Sequence, residues 1–300
     1  MIIDAHAHVY DVLAGYGPRG EFRPLGKGRG IWATGDVEQF FPAEYGDLGF
    51  HAETLVRLMD EGGIDHAVLL QGGNYGFHND YTAEAARRFP TRFTAGMTVD
   101  PYAKYALKIL EHLHRDYGMQ ILKFEVSETW GLTGYHPALR LDGPEMTPLL
   151  SYAQENDIVV VYDMGPIGTA SFDPGALFRL KAAYPELTFV MTHCFFPRED
   201  GSNDQRLAWM RELASDRFFF DIANLPLKNG NFTFVRGFLA EAKAAVGADH
   251  LIWGTDVPGV LKRFSYRELT SVVTESSVFT PEELALVMGE NARRVYRIKL

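Results

Sequence analysis

Short hydrophobic runs alternate with amphipathic stretches along most of the chain. In residues 51–63, the residues Leu55, Leu58 and Met59 fall on one helical face, and the stretch ends in glycines, a common helix stop. The next run, at 65–71, is short and apolar, as in a strand buried on both faces. Further strand-like runs occur at 92–99, 119–126, 157–163, 187–193, 217–223 and 250–256, and helical patterns at 80–88, 103–116, 144–155, 174–185, 204–214 and 233–246.

With the opening run "IIDAHAHVY" at 2–10, this pattern predicts eight strands, most of them separated by a helix. Eight such units in 300 residues indicate a (β/α)8 TIM barrel of the α/β class, forming one domain over residues 1–300. A doubly wound open sheet is the alternative, but no Gly-x-Gly-x-x-Gly follows the first strand. Residues 11–50 are rich in glycine, proline and aromatics without a period, and predict a long loop insertion after strand one. We expect this loop either to cover the active site or to contact a partner subunit.

Charge and composition narrow the classes of partner. The formal net charge is −10 and no cationic cluster occurs, which argues against nucleic acid or an anionic membrane as the main partner. The single cysteine, Cys194, excludes an intramolecular disulfide and fits a reducing compartment. The N-terminal stretch lacks the basic region of a signal peptide, and no charge-free stretch is long enough to cross a bilayer. We therefore expect a soluble, cytoplasmic protein.

Two histidines stand almost at the start of the chain. Side chains alternate faces along a strand, so Asp4, His6 and His8 are predicted to point the same way. Two imidazoles one pleat apart suit the binding of one divalent cation. The alternative is an ordinary hydrogen-bonded pair, because His-x-His is a short pattern.

Other polar residues end the later apolar runs, where catalytic groups of a barrel are placed. Each has a plain structural alternative: an aspartate can cap a turn, a lysine and a glutamate can pair with each other, and a histidine can be buried and hydrogen-bonded. Together, however, imidazoles and carboxylates at one end of one barrel are what a divalent metal needs. These strand-end residues are His6, His8, Lys123, Glu125, Asp163, His193, Asp221 and Asp256.

The motifs "DAHAHVY", "VMTHC", "IWGTDVPG" and "GENARRVYRI" span essentially the whole chain. In their order and spacing the chain resembles the amidohydrolase superfamily, in the branch of amidohydrolase-related proteins that includes aminocarboxymuconate-semialdehyde decarboxylase. The resemblance implies that His6, His8 and Asp256 bind a metal. It also implies that His193, or Asp256, carries out acid–base chemistry on the activated water or substrate.

The chain departs from the family pattern at strand five, where Asp163 replaces a metal-binding histidine. Asp163 is predicted to be a ligand itself; the alternatives are that it orients a histidine, or that metal is weakly held or absent. With two carboxylates the bound ion would be a weaker Lewis acid in a more oxygen-rich shell. We therefore predict one Zn or Mn ion per chain.

The resemblance implies metal-assisted hydrolysis of a small ester, lactone or amide. Non-oxidative decarboxylation of a small aromatic or muconate-like carboxylic acid is the alternative, and a non-catalytic binding protein a more remote one. By the same resemblance, Lys123 and Glu125 are candidates for a second metal site or for contact with the substrate, the alternative being that they only pair with each other. Arg198 and Arg263 are candidates for binding a carboxylate, the alternative being that they are solvated surface residues. Loop aromatics are candidates for binding a planar ring, the alternative being local packing; they are Tyr75, Phe77, Trp130 and Phe196. The expected partner is a small-molecule substrate; a homo-oligomer is left open.

Overall fold

The computed structural model describes residues 1–225 and 232–299. In chain order the strands are β1 (Ile3–Ala7), β2 (Gly15–Gly17), β3 (Gly20–Gly26), β4 (Arg29–Trp32), β5 (Val37–Gln39), β6 (His66–Leu69), β7 (Phe93–Ala95), β8 (Ile121–Glu125), β9 (Val159–Asp163), β10 (Phe189–Met191), β11 (Phe218–Asp221) and β12 (Leu251–Ile252). The α-helices are α1 (Ala52–Gly62), α2 (Asn79–Arg88), α3 (Ala106–Tyr117), α4 (Thr147–Glu155), α5 (Pro174–Ala183), α6 (Asp204–Leu213), α7 (Phe232–Val246), α8 (Tyr266–Thr274), α9 (Pro281–Ala285) and α10 (Asn291–Val295).

Eight parallel strands close into the predicted barrel. One hydrogen-bonded run has the order β1-β6-β7 and a second has the order β12-β11-β10-β9-β8. A parallel bridge between Met97 and Leu122 joins β7 to β8, and a bridge between Ala7 and Val257 joins the end of β12 to β1. The prediction of a (β/α)8 barrel is confirmed, and every strand now directs its carboxyl end to the same rim.

Buried side chains fill both faces of the barrel wall. Inside it, Val159 and Val161 belong to a cluster that also contains Ile121 and Phe219. Outside it, a larger cluster joins the strands to the surrounding helices. This two-sided burial explains why the strands read as nearly continuous apolar runs instead of alternating ones.

Residues 11–50 are not the structureless loop that their composition suggests. They contain a four-stranded antiparallel sheet in the order β2-β3-β4-β5, with Phe22 and Trp32 buried. Gly28 has a positive φ of 69°, and a Cβ there would lie 2.2 Å from the carbonyl oxygen of Phe41, so this tight turn requires glycine. The sequence pattern does not predict this sheet, because three of its strands have only three or four residues and the seven-residue β3 contains Pro24 and two glycines. The side chain of Lys262 anchors it to the barrel by donating to the carbonyl oxygen of Gln39 at 2.8 Å.

None of the helices within residues 1–225 and 232–299 combines the length and the apolar character needed to span a bilayer.

Candidate active site

The predicted polar residues converge on one cavity of about 890 Å³ at the carboxyl ends of the strands. His8, Lys123, Glu125, Asp163, His193 and Asp256 all line it, together with Tyr75, Trp130 and Arg198. His6 and Asp221 are fully buried behind this lining. The order of the strands in the barrel therefore brings together, at one rim, residues that are up to 250 positions apart in the sequence.

The expectation that Asp4 shares a face with the two histidines is wrong. The pairing of β1 with β6 shifts register between Asp4 and Ala7, so simple alternation fails there. The Asp4 carboxylate instead accepts hydrogen bonds from the Thr255 side chain at 2.6 Å and from the Tyr266 hydroxyl of α8. Asp4 thus ties β1 to the segment after β12 and contributes no side-chain atom to the cavity lining.

His6 is held so that one ring nitrogen has no hydrogen-bond partner. Its Nδ1 donates to Oδ2 of Asp221 at 2.6 Å. Its Nε2 is buried without a hydrogen-bond partner among the described residues and lies 3.7 Å from Oδ1 of Asp256. Burial, followed by the charge of Lys123, holds the pKa of His6 well below its usual value, so the ring is neutral and Nε2 offers a lone pair.

His8 presents the same nitrogen in the same way. Its Nδ1 donates to the carbonyl oxygen of Leu70 at 2.9 Å, and burial lowers its pKa. The remaining Nε2 is 2.9 Å from Oδ1 of Asp256. Burial opposes the charge of Asp256, but the adjacent rings of His8 and His6 hold its pKa below the ordinary range. A neutral imidazole lone pair therefore faces an ionised carboxylate oxygen.

These contacts fit a divalent cation. His6, His8 and Asp256 each direct one ligand atom to a common point, all within 4.8 Å of one another. The lone pairs of His8 Nε2 and Asp256 Oδ1 repel each other, and Nε2 of His6 has no hydrogen-bond partner among the described residues. A cation would satisfy all three atoms. A second group within the same distance comprises His6, His193 and Asp221. In it, Asp221 already accepts from His6, an arrangement typical of a carboxylate that orients a metal-binding histidine.

Asp163 lies against His193 and is absent from both groups. Nδ1 of His193 donates to the carbonyl oxygen of Ala223 at 2.8 Å, and Nε2 lies 3.0 Å from Oδ2 of Asp163. Burial by itself opposes a charged imidazole, but the charge of Asp163 and this hydrogen bond raise the pKa of His193 to about 10. This contact favours the alternative in which Asp163 orients a histidine. Whether it also binds metal stays a prediction.

Lys123 and Glu125 form a buried pair facing the cavity. Nζ of Lys123 donates to Oε2 of Glu125 over a long 3.3 Å. Burial, and then the charge of Asp163, raise the pKa of Glu125 to about 7. Burial opposes the charge of Lys123, yet Glu125 and Asp163 raise its pKa, so it stays an ammonium. The two residues pair, as the structural alternative expected, and remain accessible to a bound molecule.

Three predicted aromatics form part of the cavity wall. Tyr75 packs on His8 with ring centroids 4.8 Å apart, Phe196 packs on His193 at 4.6 Å, and Trp130 lies nearby. Phe77 does not contribute to the lining and is 41% exposed. Arg198 lines the mouth, where its guanidinium pairs with Asp200 at 2.9 Å.

Several residues of the cavity are not predicted by the sequence pattern. Asn224 donates to Oδ2 of Asp256 at 2.7 Å and so fixes this carboxylate. Glu38 and Phe40 reach the cavity from the inserted sheet, and Lys262 from the segment after β12. Asp221 was noted at its strand end, but no sequence signal paired it with His6. Only Asn224 had a local cue, namely its position three residues after Asp221.

Comparison with known families settles the chain's relationship. A family model for amidohydrolases matches residues 3–298.

The chain belongs to the amidohydrolase family.

Solved structures of low identity share the fold. A probable 2-pyrone-4,6-dicarboxylic acid hydrolase from Acinetobacter baumannii, with citric acid bound, is 17% identical over 99% of both chains, with a TM-score of 0.71. A 5-carboxyvanillate decarboxylase from Sphingomonas paucimobilis is 16% identical over 81% of this chain and 82% of the other, with a TM-score of 0.58. A 2,6-dihydroxybenzoate decarboxylase from Rhizobium is 17% identical over 82% and 88%, with a TM-score of 0.58. No curated protein matches this chain. The predicted family is confirmed by the family model, and the solved structures that share the fold include a probable hydrolase and two decarboxylases.

Proposed function

We propose that this amidohydrolase is a metal-dependent hydrolase of a small ester, lactone or amide. The observation that carries the proposal is the buried Nε2 of His6, which has no hydrogen-bond partner in the part of the chain that the structure describes and faces Nε2 of His8 and Oδ1 of Asp256. Buried polar atoms are nearly always satisfied, so this concentration of unopposed lone pairs calls for a cation. His6, His8 and Asp256 would hold the ion.

When bound, a divalent ion there supplies a Lewis acid that polarises a carbonyl oxygen and makes a water molecule more acidic. The chain's own groups handle protons. His193 carries a proton on Nε2, shared with Asp163, and borders the cavity, so it can donate to a leaving oxygen or nitrogen. Asp256 keeps one oxygen toward the histidines and the other on Asn224, and serves as the alternative base.

Substrate recognition is assigned to the other side of the cavity. Lys123 offers a buried ammonium with a single long hydrogen bond, suited to a substrate carboxylate or oxyanion. Glu125 beside it would complete a second metal site only in the absence of such a substrate group. Tyr75 and Trp130 provide apolar walls for a planar ring, and Arg198 a cation at the mouth.

Decarboxylation of a small aromatic or muconate-like carboxylic acid is the second candidate. It is favoured by His193, which Asp163 keeps protonated beside the cavity, because such reactions need a proton delivered to carbon. The names of two solved neighbours, both decarboxylases of aromatic acids, are consistent with it. A non-catalytic binding protein would leave the unsatisfied lone pairs without a purpose.

The first experiment is the metal content of the purified protein by mass spectrometry, with His6→Ala and Asp163→Ala variants alongside. We expect one equivalent of zinc or manganese, lost in His6→Ala; loss in Asp163→Ala as well would make Asp163 a ligand. Two equivalents per chain would implicate Glu125 and Lys123 in a second site. No metal after incubation with either ion would refute the metal-dependent mechanism.

A substrate screen then separates the reactions. Lactones, esters and amides report hydrolysis by proton release, and aromatic or unsaturated carboxylic acids report decarboxylation by carbon dioxide release. Neither signal, in the presence of bound metal, would leave the binding-protein alternative. The cytoplasmic location and the oligomeric state remain predictions for fractionation and light scattering.

A further inference from the structure

The segment that carries His193 has an unusual backbone. Four consecutive residues that are not glycine, His193 to Phe196, all have left-handed φ angles of 56°, 44°, 61° and 51°. L-residues visit this region as single residues and at an energetic cost, because Cβ approaches the following carbonyl oxygen. Such a run persists only where the surrounding structure holds it in place. We call residues 193–196 the left-handed turn.

The turn aims the catalytic candidate and part of the cavity wall at once. Its first residue, His193, points Nε2 at Asp163, and its last, Phe196, packs on the imidazole of His193 and lines the cavity. If the turn relaxed to right-handed or extended backbone, the imidazole would leave the cavity. The position of His193 therefore depends on whatever stabilises this backbone.

One buried cationic side chain is hydrogen-bonded to the turn. Arg206 of α6 is only 2% exposed, and its Nε donates to the carbonyl oxygen of Phe195 at 3.0 Å. Its Nη1 donates to Oδ1 of Asn203, which also accepts from the backbone N–H of Arg198 at 2.9 Å. Arg206 thus holds the carbonyl inside the turn and, through Asn203, the chain that leaves it.

Arg206 has no carboxylate partner within residues 1–225 and 232–299, and its Nη2 is buried without a hydrogen bond. Burial, and then the charge of Arg198, lower its pKa. An unpaired buried cation is costly, and an apolar side chain would fill the same space at less cost. The presence of an arginine at this position is therefore explained by the hydrogen bonds that it donates to Phe195 and Asn203.

We propose that Arg206 is a positioning residue for His193, acting through the left-handed turn. This inference rests on the proposed catalytic role of His193, but it concerns the placement of the imidazole and can fail separately. It has two consequences. Removal of the guanidinium displaces the imidazole of His193, and relief of the backbone strain in the left-handed turn returns the imidazole to its position.

The primary readout is the imidazole N–H signal of His193 in protein labelled with ¹⁵N-histidine, assigned by its absence in His193→Gln. The Nδ1 hydrogen bond to Ala223 should protect this proton from exchange and make it visible. We expect the signal to disappear in Arg206→Met and Arg206→Ala, and to return in Arg206→Ala when guanidinium chloride is added at concentrations that do not unfold the protein. Arg211→Met, an exposed substitution on the same helix, is the matched control and should leave it unchanged.

Compensation is tested at Cys194, whose φ is 44°. In an Arg206→Lys background, which keeps the charge and guards against failure to fold, we expect the signal to be lost as well, because lysine lacks the planar guanidinium that reaches both Phe195 and Asn203. Cys194→Gly in this background should restore the signal because glycine accepts left-handed backbone. Cys194→Ala removes the same thiol without relieving strain and should not. Once a substrate is known, kcat of Arg206→Met should fall about 100-fold with little change in KM.

A His193 signal that survives in Arg206→Met, with only a lower denaturation midpoint, would overturn the proposal and leave Arg206 a purely structural residue. Equal effects of Cys194→Gly and Cys194→Ala would also overturn it. If the signal behaves as expected but His193→Gln retains full kcat, the positioning relationship holds and the proposed catalytic role of His193 fails.

Discussion

Replacing Asp221 by asparagine tests the metal site through a residue that does not itself face the cavity. Oδ1 of Asp221 accepts from the backbone N–H of Ala223, and Oδ2 accepts from Nδ1 of His6 at 2.6 Å. A carboxylate satisfies both donors, whereas an amide has only one acceptor oxygen. In Asp221→Asn, one orientation of the amide keeps its oxygen as the acceptor for the N–H of Ala223. Its NH2 group then faces Nδ1 of His6.

The consequence is a change of tautomer. Facing an NH2 donor, Nδ1 of His6 must accept, so its proton moves to Nε2, the atom proposed to bind metal. If the amide is reversed, its NH2 meets the N–H of Ala223 and the turn after β11 loses its acceptor. Loss of such orienting carboxylates costs about 10- to 100-fold in metal affinity, which corresponds to about 1.4–2.8 kcal/mol. Asp221→Asn should reach at least this range although it is nearly isosteric.

The assay is competition for zinc or manganese between the protein and a chelator of known affinity, read by mass spectrometry after equilibrium dialysis. Asp100→Asn is the matched control, because Asp100 also accepts from a histidine, His136 at 2.9 Å, but neither residue lines the cavity. Wild-type affinity in Asp221→Asn would refute the reasoning that the tautomer of His6 is fixed for metal binding. A parallel loss in Asp100→Asn would indicate a general effect on folding.

Three further predictions concern separate parts of the molecule. Lys123→Met should raise KM about 10- to 100-fold for substrates with a carboxylate but not for their neutral analogues, since a charge-assisted hydrogen bond is lost; equal changes for both would argue against this role. Asp163→Asn should lower the pKa of His193 from about 10 toward 6.5, measured by histidine NMR, and an unchanged pKa would mean that another group holds the proton. His66 is buried and its pKa is lowered from 6.5, so the unfolded chain takes up a proton that the folded protein refuses, and the free energy of unfolding falls as pH drops below 6.5. His66→Gln should flatten this decline in denaturant titrations between pH 7 and 5, and an equally steep decline would exclude His66 as its source.

The barrel was predictable because strands buried on both faces and helices buried on one leave distinct periodicities in a single sequence. The strand-end polar residues were predictable for the same reason, since they interrupt apolar runs at recurrent positions. The inserted sheet was not, because three of its four strands have only three or four residues and the seven-residue β3 contains Pro24 and begins and ends with glycine, so no period shows. The direction of Asp4 was mispredicted because a register shift in β1 breaks alternation, and nothing in "IIDAHAH" announces such a shift.

The sequence alone determined which chemical groups the site contains: two histidines at β1, an aspartate after β12, and a histidine after β10 belong to strand ends that local pattern identifies. Only the tertiary structure decided how these groups are paired. Arg206 holds the left-handed turn within its own β/α unit, but that Asp221 orients His6 and that Asp163 contacts His193 are contacts between different β/α units. Such contacts arise when the barrel closes and brings distant strand ends to one rim, so pairing depends on three-dimensional distance that residue order does not record.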